Sequence, residues 1–360
     1  MEIRWEFDSE AYNRLHNLID ILSPSMEEVS MASYLRKAWT NNGIIVKTDV
    51  MGNIHASIGE DNAIHIGLVA HMDTVAIQIV KILPNGLLQF RYIGLRPHVL
   101  LGQTVKVLTE KGIIEGVIGF DPTSYYAQPK GLIDEDLWLD IGACSYENAL
   151  SLVSVGDLAV LPPRLTELND QYICGTGLDD KIGLFIINEC LDWFIKNGTS
   201  VCLHIMGSTQ EEIGLRGAGI ITSQDHLDAC FVVDVDYATD TLTPHENQMG
   251  TLHLGKGVGV HLKSDNNPVL RKIVCGVASE FNIPYQASLG RFMYGGTDAT
   301  SLQLQRGGIA TVNINIPCRY MHSPIEVCQK DDIESAIRLL ISTINKIGER
   351  KLGRFIPGID

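Results

Sequence analysis

Residues 63–70 read Ala-Ile-His-Ile-Gly-Leu-Val-Ala, and His71-Met72-Asp73 follows without a break. A run that is apolar at nearly every position predicts a strand buried on both faces, as in a parallel sheet covered by helices. Polar residues directly after such a strand fall at its carboxyl end, where open α/β sheets bind their ligands. This short stretch therefore sets both the fold class and the place to look for chemistry.

The same texture extends on either side. Upstream, Ser25-Met26-Glu27-Glu28 is a capping-box pattern predicting a helix to about Asn42. Asp49 to Ile58, with a turn at Gly52-Asn53, predicts a strand region. Between Ala76 and about Leu165 the pattern changes to short β-prone pieces, such as residues 77–83, 104–109 and 157–163, divided by turn signals. That predicts a small all-β barrel or sandwich, closed off at Pro162-Pro163. After Gly175 the alternation resumes, with helices at Leu178–Lys196, Asn267–Phe281 and Asp331–Arg350 and strands starting near Ser200, Cys230 and Ile309. Pro268 suits the first turn of its helix. The economical architecture is an α/β domain, residues 1–75 and 166–360, interrupted by an all-β domain at 76–165.

A length of 360 residues accommodates two such units at ~150 residues each. Hydrophobic residues at 45% and charged residues at 20% exclude a disordered or fibrous chain. The net charge of −15 excludes phosphate-backbone binding as the main task, so no nucleic-acid partner is expected. No run reaches the ~18 apolar residues of a membrane span, and Met1 to Asp8 carries no apolar signal core. The eight cysteines are dispersed, without a CxxC pair, mostly inside apolar runs. Free thiols of a reducing, cytoplasmic compartment are expected, and a cysteine-rich zinc site is not.

Polar clusters stand where the apolar strands stop. His71 and Asp73 follow the first; Glu211-Glu212 and Asp234, with Asp236 two residues on, follow later ones; His322 lies five residues beyond Pro317; Asp179-Asp180 opens a helix. Taken singly, each has a structural explanation, such as a helix N-terminal charge. Taken together, that many acids on one rim would repel one another strongly, and cations are the natural remedy. Oxygen and imidazole donors without thiolates suit zinc, cobalt or manganese.

Several blocks, in order, carry a resemblance: Ala70-His71-Met72-Asp73, Leu178-Asp179-Asp180-Lys181-Ile182-Gly183, Thr209-Gln210-Glu211-Glu212-Ile213-Gly214-Leu215-Arg216-Gly217-Ala218, Asp234-Val235, Leu254-Gly255-Lys256-Gly257, Gly295-Gly296-Thr297-Asp298-Ala299 and Arg319-Tyr320-Met321-His322-Ser323-Pro324. The chain resembles metallopeptidase family forty-two, the deblocking, glutamyl- and leucyl-type and tetrahedral aminopeptidases, some mislabelled as endoglucanases. The resemblance implies a zinc-exopeptidase-like α/β/α sandwich with an inserted β-barrel-like dimerisation domain. It implies two divalent metal ions per subunit, zinc first, with cobalt or manganese as alternatives. Asp179 would bridge them, His71 and Asp234 would complete one site, and Glu212 and His322 the other. Glu211 would be the general base, and Asp73 would orient His71. Three ligand carboxylates and one hydroxide already balance two divalent ions, which leaves Glu211 free to move protons. A cis Asp179-Asp180 peptide bond is also implied.

Two positions depart from the family pattern: Thr74-Val75-Ala76 after the first block, and Thr176-Gly177 ahead of the paired acids. Both touch the approach to the site. Gly295 to Asp298 reads either as cleft lining or as a turn capping a helix near Thr297. The activity implied is removal of N-terminal residues from short peptides by a cytoplasmic homo-oligomer, a dimer or a tetrahedral dodecamer. The alternatives are a related dinuclear carboxypeptidase or N-acyl-amino-acid deacylase, or a scaffold whose site has decayed. Against the first stands the all-β insertion ahead of Asp179; against the second, a full set of site residues. A glycosidase needs only two carboxylates and would leave His71, His322 and Asp234 without purpose.

Overall fold

In the computed structural model, residues 3–121, 137–221, 226–242, 246–290, 296–350 and 355–358 are described. After helices Ser9–Ile19 and Val29–Asn41, strands β1 (Val46–Thr48), β2 (Ile54–Ile58) and β3 (His65–His71) begin the main sheet. Six strands then leave it: β4 (Ala76–Ile82), β5 (Leu88–Ile93), β6 (Thr104–Thr109), β7 (Gly112–Phe120), β8 (Leu137–Asp140) and β9 (Leu158–Val160). They close a barrel in the order β4-β5-β8-β7-β6-β9 around a core that includes Ile77, Ile79, Leu88, Val107 and Leu139. The barrel-or-sandwich expectation thus resolves to a barrel. Strands β10 (Leu165–Glu167) and β11 (Tyr172–Gly175) lead back to the long helix Leu178–Asn197.

The main sheet continues with β12 (Cys202–Ser208), β13 (Ala229–Tyr237), β14 (Val258–His261), β15 (Tyr285–Ser288) and β16 (Ala310–Cys318). Its order is β1-β2-β12-β3-β13-β16-β14-β15. The four middle strands, β12, β3, β13 and β16, are mutually parallel, so their carboxyl ends share one rim. A third, small sheet joins β10 and β11 to β17 (Glu326–Gln329).

Residues 63–70 behave as their composition requires. Ile66, Leu68 and Ala70 of β3 point into one core with Phe185, Leu35 and Ile337 from the helices, while Val69 points into a second core with Ile221 and Leu302. Both faces of the sheet are covered, which is why so continuous an apolar run is tolerated. The other sequence-predicted helices form close to expectation, at Leu178–Asn197, Pro268–Glu280 and Lys330–Arg350.

Two local expectations are corrected. The segment Asp49 to Ile58 is not one strand region: Asp49 to Asn53 forms the turn between antiparallel β1 and β2. The capping box at Ser25 does not cap. Helix Val29–Asn41 starts after Glu28 with no side-chain cap bond, because Ser25 and Glu28 are drawn into contacts with the rim described next.

Candidate metal centre

His71 is the last residue of β3 and is 3% exposed. Its Nδ1 lies 2.9 Å from the main-chain carbonyl oxygen of Asp73, a group that only accepts. The proton therefore sits on Nδ1, and the Nε2 lone pair faces Oδ1 of Asp179 at 3.0 Å, with Asp234 Oδ1 at 3.9 Å. His322 repeats the arrangement from the opposite side. Its Nδ1 donates to the carbonyl oxygen of Gly94 at 3.0 Å, and its Nε2 faces Asp179 Oδ2 at 3.2 Å and Glu212 Oε2 at 3.3 Å. Each oxygen of one carboxylate thus meets a different imidazole lone pair. Acceptor facing acceptor needs a proton or a cation between them. Glu212 Oε1, buried, has no hydrogen-bond partner among the described residues.

The loop after β12 is held by its neighbours. Asp73 is fully buried, and its carboxylate accepts from the backbone of Glu211 (3.0 Å) and Glu212 (3.2 Å) and from the Ser25 hydroxyl (2.6 Å). Glu28 accepts from Gln210 N–H at 3.0 Å. Asn53 accepts from Thr209 N–H at 2.8 Å and donates to Gly217 O at 3.0 Å. A Cβ at Gly217 would stand 2.3 Å from Thr209 O, so the loop can fold back on itself only with glycine there.

The paired acids divide their work. The Asp179-Asp180 peptide bond is cis. Asp180 accepts from Gly183 N–H at 2.9 Å and His71 N–H at 3.3 Å, which ties it to the backbone of the rim. Asp179 N–H donates to Glu326 Oε2 at 3.1 Å, while the other oxygen of Glu326 accepts from His322 N–H at 3.0 Å. One buried carboxylate on β17 therefore sets the backbone of two rim residues at once. His322 itself has φ +61°, a left-handed conformation unusual outside glycine. Asp234 lies within β13, which runs on to Tyr237, rather than after a strand end. Asp236 stands apart from the imidazole pair, 2.8 Å from His261 Nε2.

The electrostatics follow from crowding. Burial, and then the charge of Asp179, push Glu212 up to about 8 and hold Asp234 well above the usual carboxylate range. Burial also holds Glu211 well above that range, with Asp234 and Glu212 adding to the effect. Burial would raise Asp179 as well, but hydrogen bonds to His322 and His71 outweigh it and keep this carboxyl far below its ordinary value. His322, despite partial burial, is lifted to about 10 by Glu212 and Asp179. Carboxylates that cannot all hold charge beside imidazoles aimed at them are a donor set able to hold a metal ion. Two groups with metal-ligand spacing occur here, His71 with Asp179 and Glu212, and His71 with Asp180 and Asp234.

Of the seven residues singled out from the sequence, His71 ends β3, Asp234 lies within β13, Asp179 opens the helix Leu178–Asn197, and Asp73, Glu211, Glu212 and His322 stand on the loops between. Sequence reasoning missed Glu326, Glu28 and Ser25, which organise the rim. A lone acid inside Ile325-Glu326-Val327-Cys328 was the available signal for the first. Gly295 lies outside the described residues; Thr297 caps helix Asp298–Leu302, and buried Asp298 accepts from the Ser208 hydroxyl. Burial lifts Asp298 to about 6.

Among the described residues no helix is long and apolar enough to cross a membrane. Residues 52–339 match the family profile of M42 glutamyl aminopeptidase. A lysyl aminopeptidase of Pyrococcus furiosus is 31% identical over 308 residues, 84% of this chain and 87% of the relative. A TET aminopeptidase from a marine sediment archaeon of the Thaumarchaeota superposes with a TM-score of 0.90 at 29% identity, covering 96% of this chain and 99% of that one. The Pyrococcus horikoshii TET1 peptidase, which can assemble into a tetrahedron or a large octahedral shell, gives 0.82 at 28% identity over 92% and 98%. With its profile match spanning most of the sequence and a relative 31% identical over 84% of its length, the chain belongs to the M42 glutamyl aminopeptidase family.

Proposed function

We propose that this chain is a dinuclear metal-dependent aminopeptidase that removes N-terminal residues from short peptides. The observation that carries the reading is the Asp179 carboxylate, with one oxygen 3.0 Å from His71 Nε2 and the other 3.2 Å from His322 Nε2. A carboxylate placed so can bridge two ions, with His71 and Asp234 on one side and Glu212 and His322 on the other. Divalent ions there, zinc first and cobalt or manganese as alternatives, would polarise the scissile carbonyl and make water acidic enough to attack near neutral pH. Glu211 takes the proton from the attacking water and passes it to the leaving amine, a task suited to a carboxyl whose pKa is already raised. Asp73 positions Glu211 by holding its backbone N–H.

The barrel, within an inserted domain at 76–165, is read as the assembly module. It carries none of the rim side chains, and Ile113, Val117, Leu150 and Val155 are exposed on this segment. The reading is a homodimer or a larger closed shell; the TET1 peptidase, a relative, can assemble into a tetrahedron or a large octahedral shell. The chain's eight free cysteines, most of them buried, fit a cytoplasmic setting. Light scattering tests the assembly: twice 39.6 kDa indicates the dimer, and twelve times that mass the dodecamer. A fully active monomer defeats it. The activity is tested with a panel of aminoacyl amides, N-acyl amino acids and N-blocked peptides, each assayed with zinc, cobalt and manganese. Hydrolysis only of substrates with a free α-amine is expected. Turnover confined to N-acyl amino acids would overturn the aminopeptidase reading in favour of a deacylase.

A further inference from the structure

A second cluster of metal-binding atoms lies at the opposite end of β3 from the rim. β3 spans His65 to His71, so the two ends are about 20 Å apart at ~3.3 Å per residue. At the far end His65 stands beside Cys202 and His204 of the neighbouring β12, with which β3 pairs in parallel register, Cys202 opposite His65. Cys202 and His204 are two apart on one strand, so both project to the same face. His204 Nε2 is 2.9 Å from His65 Nδ1 and 3.4 Å from Cys202 Sγ. The three donor atoms all lie within 4.8 Å of one another.

We propose that Cys202, His204 and His65 form a separate metal site for a zinc-like divalent transition ion, independent of the rim chemistry. Zinc bonds of ~2.3 Å to sulfur and ~2.0–2.1 Å to nitrogen give tetrahedral edges of about 3.6 Å for S···N and about 3.3 Å for N···N. The separations present fall short of these by less than about half an ångström, which a small opening of the side chains supplies. The outer contacts are those of ligating imidazoles. His65 Nε2 lies 2.9 Å from the carbonyl oxygen of Asp61, which only accepts, so its proton is on Nε2 and Nδ1 presents a lone pair. His204 Nδ1 lies 2.8 Å from His55 Nε2. On ion binding the Cys202 thiol releases its proton to solvent. His204 takes the His55 proton at Nδ1 along their shared hydrogen bond and gives up its own Nε2 proton to solvent, and His55 is reprotonated from solvent at its other nitrogen, so both rings stay neutral and the thiol proton is the only net loss. His65 is only half-buried, so the fourth position is reached by solvent water. Cys202 and His204 are 5% and 3% exposed, which protects the thiolate side.

The consequence for the fold is a clasp. Among the described residues β2 and β1 are the antiparallel additions on this side of the sheet, and His55 of β2 backs the site from beside β12. The ion would tie this edge hairpin to the parallel centre.

The thiolate makes the site separable by experiment from the rim, whose proposed ligands are all imidazole and carboxylate. The purified full-length chain is loaded with cobalt(II), passed through a desalting column, and examined for thiolate-to-cobalt charge-transfer absorption in the near ultraviolet. Metal content is measured in parallel. The band is expected in the wild type and lost in Cys202→Ser and His65→Gln, each of which retains one ion fewer per chain while keeping peptidase turnover. Absence of the band in the wild type would show a hydrogen-bonded imidazole chain with no ion and overturn the proposal. So would a band that persists in Cys202→Ser, or equal metal content in all three proteins.

Discussion

The carbonyl oxygen of Gly94, at the end of a barrel strand, accepts a hydrogen bond from Nδ1 of His322 at 3.0 Å. That bond fixes the imidazole tautomer and turns Nε2 toward Asp179 and Glu212. The barrel therefore reaches the rim through its main chain rather than through a catalytic side chain.

Gly94 has φ +73°, and a Cβ there would sit 2.3 Å from Val75 Cγ1 and 3.2 Å from Glu212 Oε2. Gly94→Ala is expected to displace the carbonyl and weaken metal affinity by ~10–100-fold, the usual cost of losing an outer hydrogen bond to a ligand. Chelator competition measures the affinity, and light scattering should show an unchanged mass. Wild-type affinity would remove Gly94 from the site.

Glu211→Gln is expected to keep its metal and lose turnover by ~10²–10⁴. Loss of metal instead would mean that Glu211 and Glu212 have each other's roles. Asp179→Asn should do the reverse damage: an amide neutralises neither ion, so metal leaves and melting comes earlier. Elemental analysis with a thermal melt on each variant separates the two patterns.

Glu326 acts through two backbone N–H groups and touches neither imidazole. Glu326→Gln offers one acceptor oxygen where two are needed. Metal affinity is expected to fall by ~10–100-fold, with kcat recovering at saturating metal. A kcat deficit that persists at saturation would show that Glu326 takes part in the chemistry itself.

Asp332 tests the pH dependence away from the rim. It is fully buried and accepts from Gly255 and Gly257 N–H at 2.7 Å each, yet burial pushes it up to about 7. A carboxyl raised on folding stabilises the protein fully below its unfolded value of ~3.9, and that contribution is lost as pH rises through about 7. Asp332→Asn does not titrate. Relative to wild type it should gain stability between pH 5 and pH 8, by up to ~3 kcal/mol for the two units from pH 5 to about 7 at ~1.4 kcal/mol per unit. Denaturant melts at both pH values measure the difference. A variant that becomes relatively weaker toward pH 8 would show that the two N–H donors outweigh burial.

The rim was legible from the sequence because its chemistry is punctuated by the fold. An apolar run such as 63–70 ends where the sheet ends, and His71 stands at that boundary. The residues that organise the rim were hidden for the opposite reason. Ser25 and Glu28 have a sound local explanation as a helix cap, and long-range contacts to Asp73 and to Gln210 N–H override it. Glu326 works through acceptor geometry on segments 147 and 4 residues away, which no spacing rule anticipates. Likewise His55, His65 and His204 meet only because β2, β12 and β3 are neighbours in the sheet.

The barrel closes on itself, with β9 paired to both β4 and β6. A ring of strands with no free border cannot grow by borrowing a strand from a neighbouring molecule. Any contact between copies over these strands would be written in side chains, because their backbone is already paired within the ring. A side-chain surface can drift one residue at a time, changing how many copies meet and at what angle, without shifting any strand's register. The single carbonyl of Gly94 is the thread that such drift has to leave uncut.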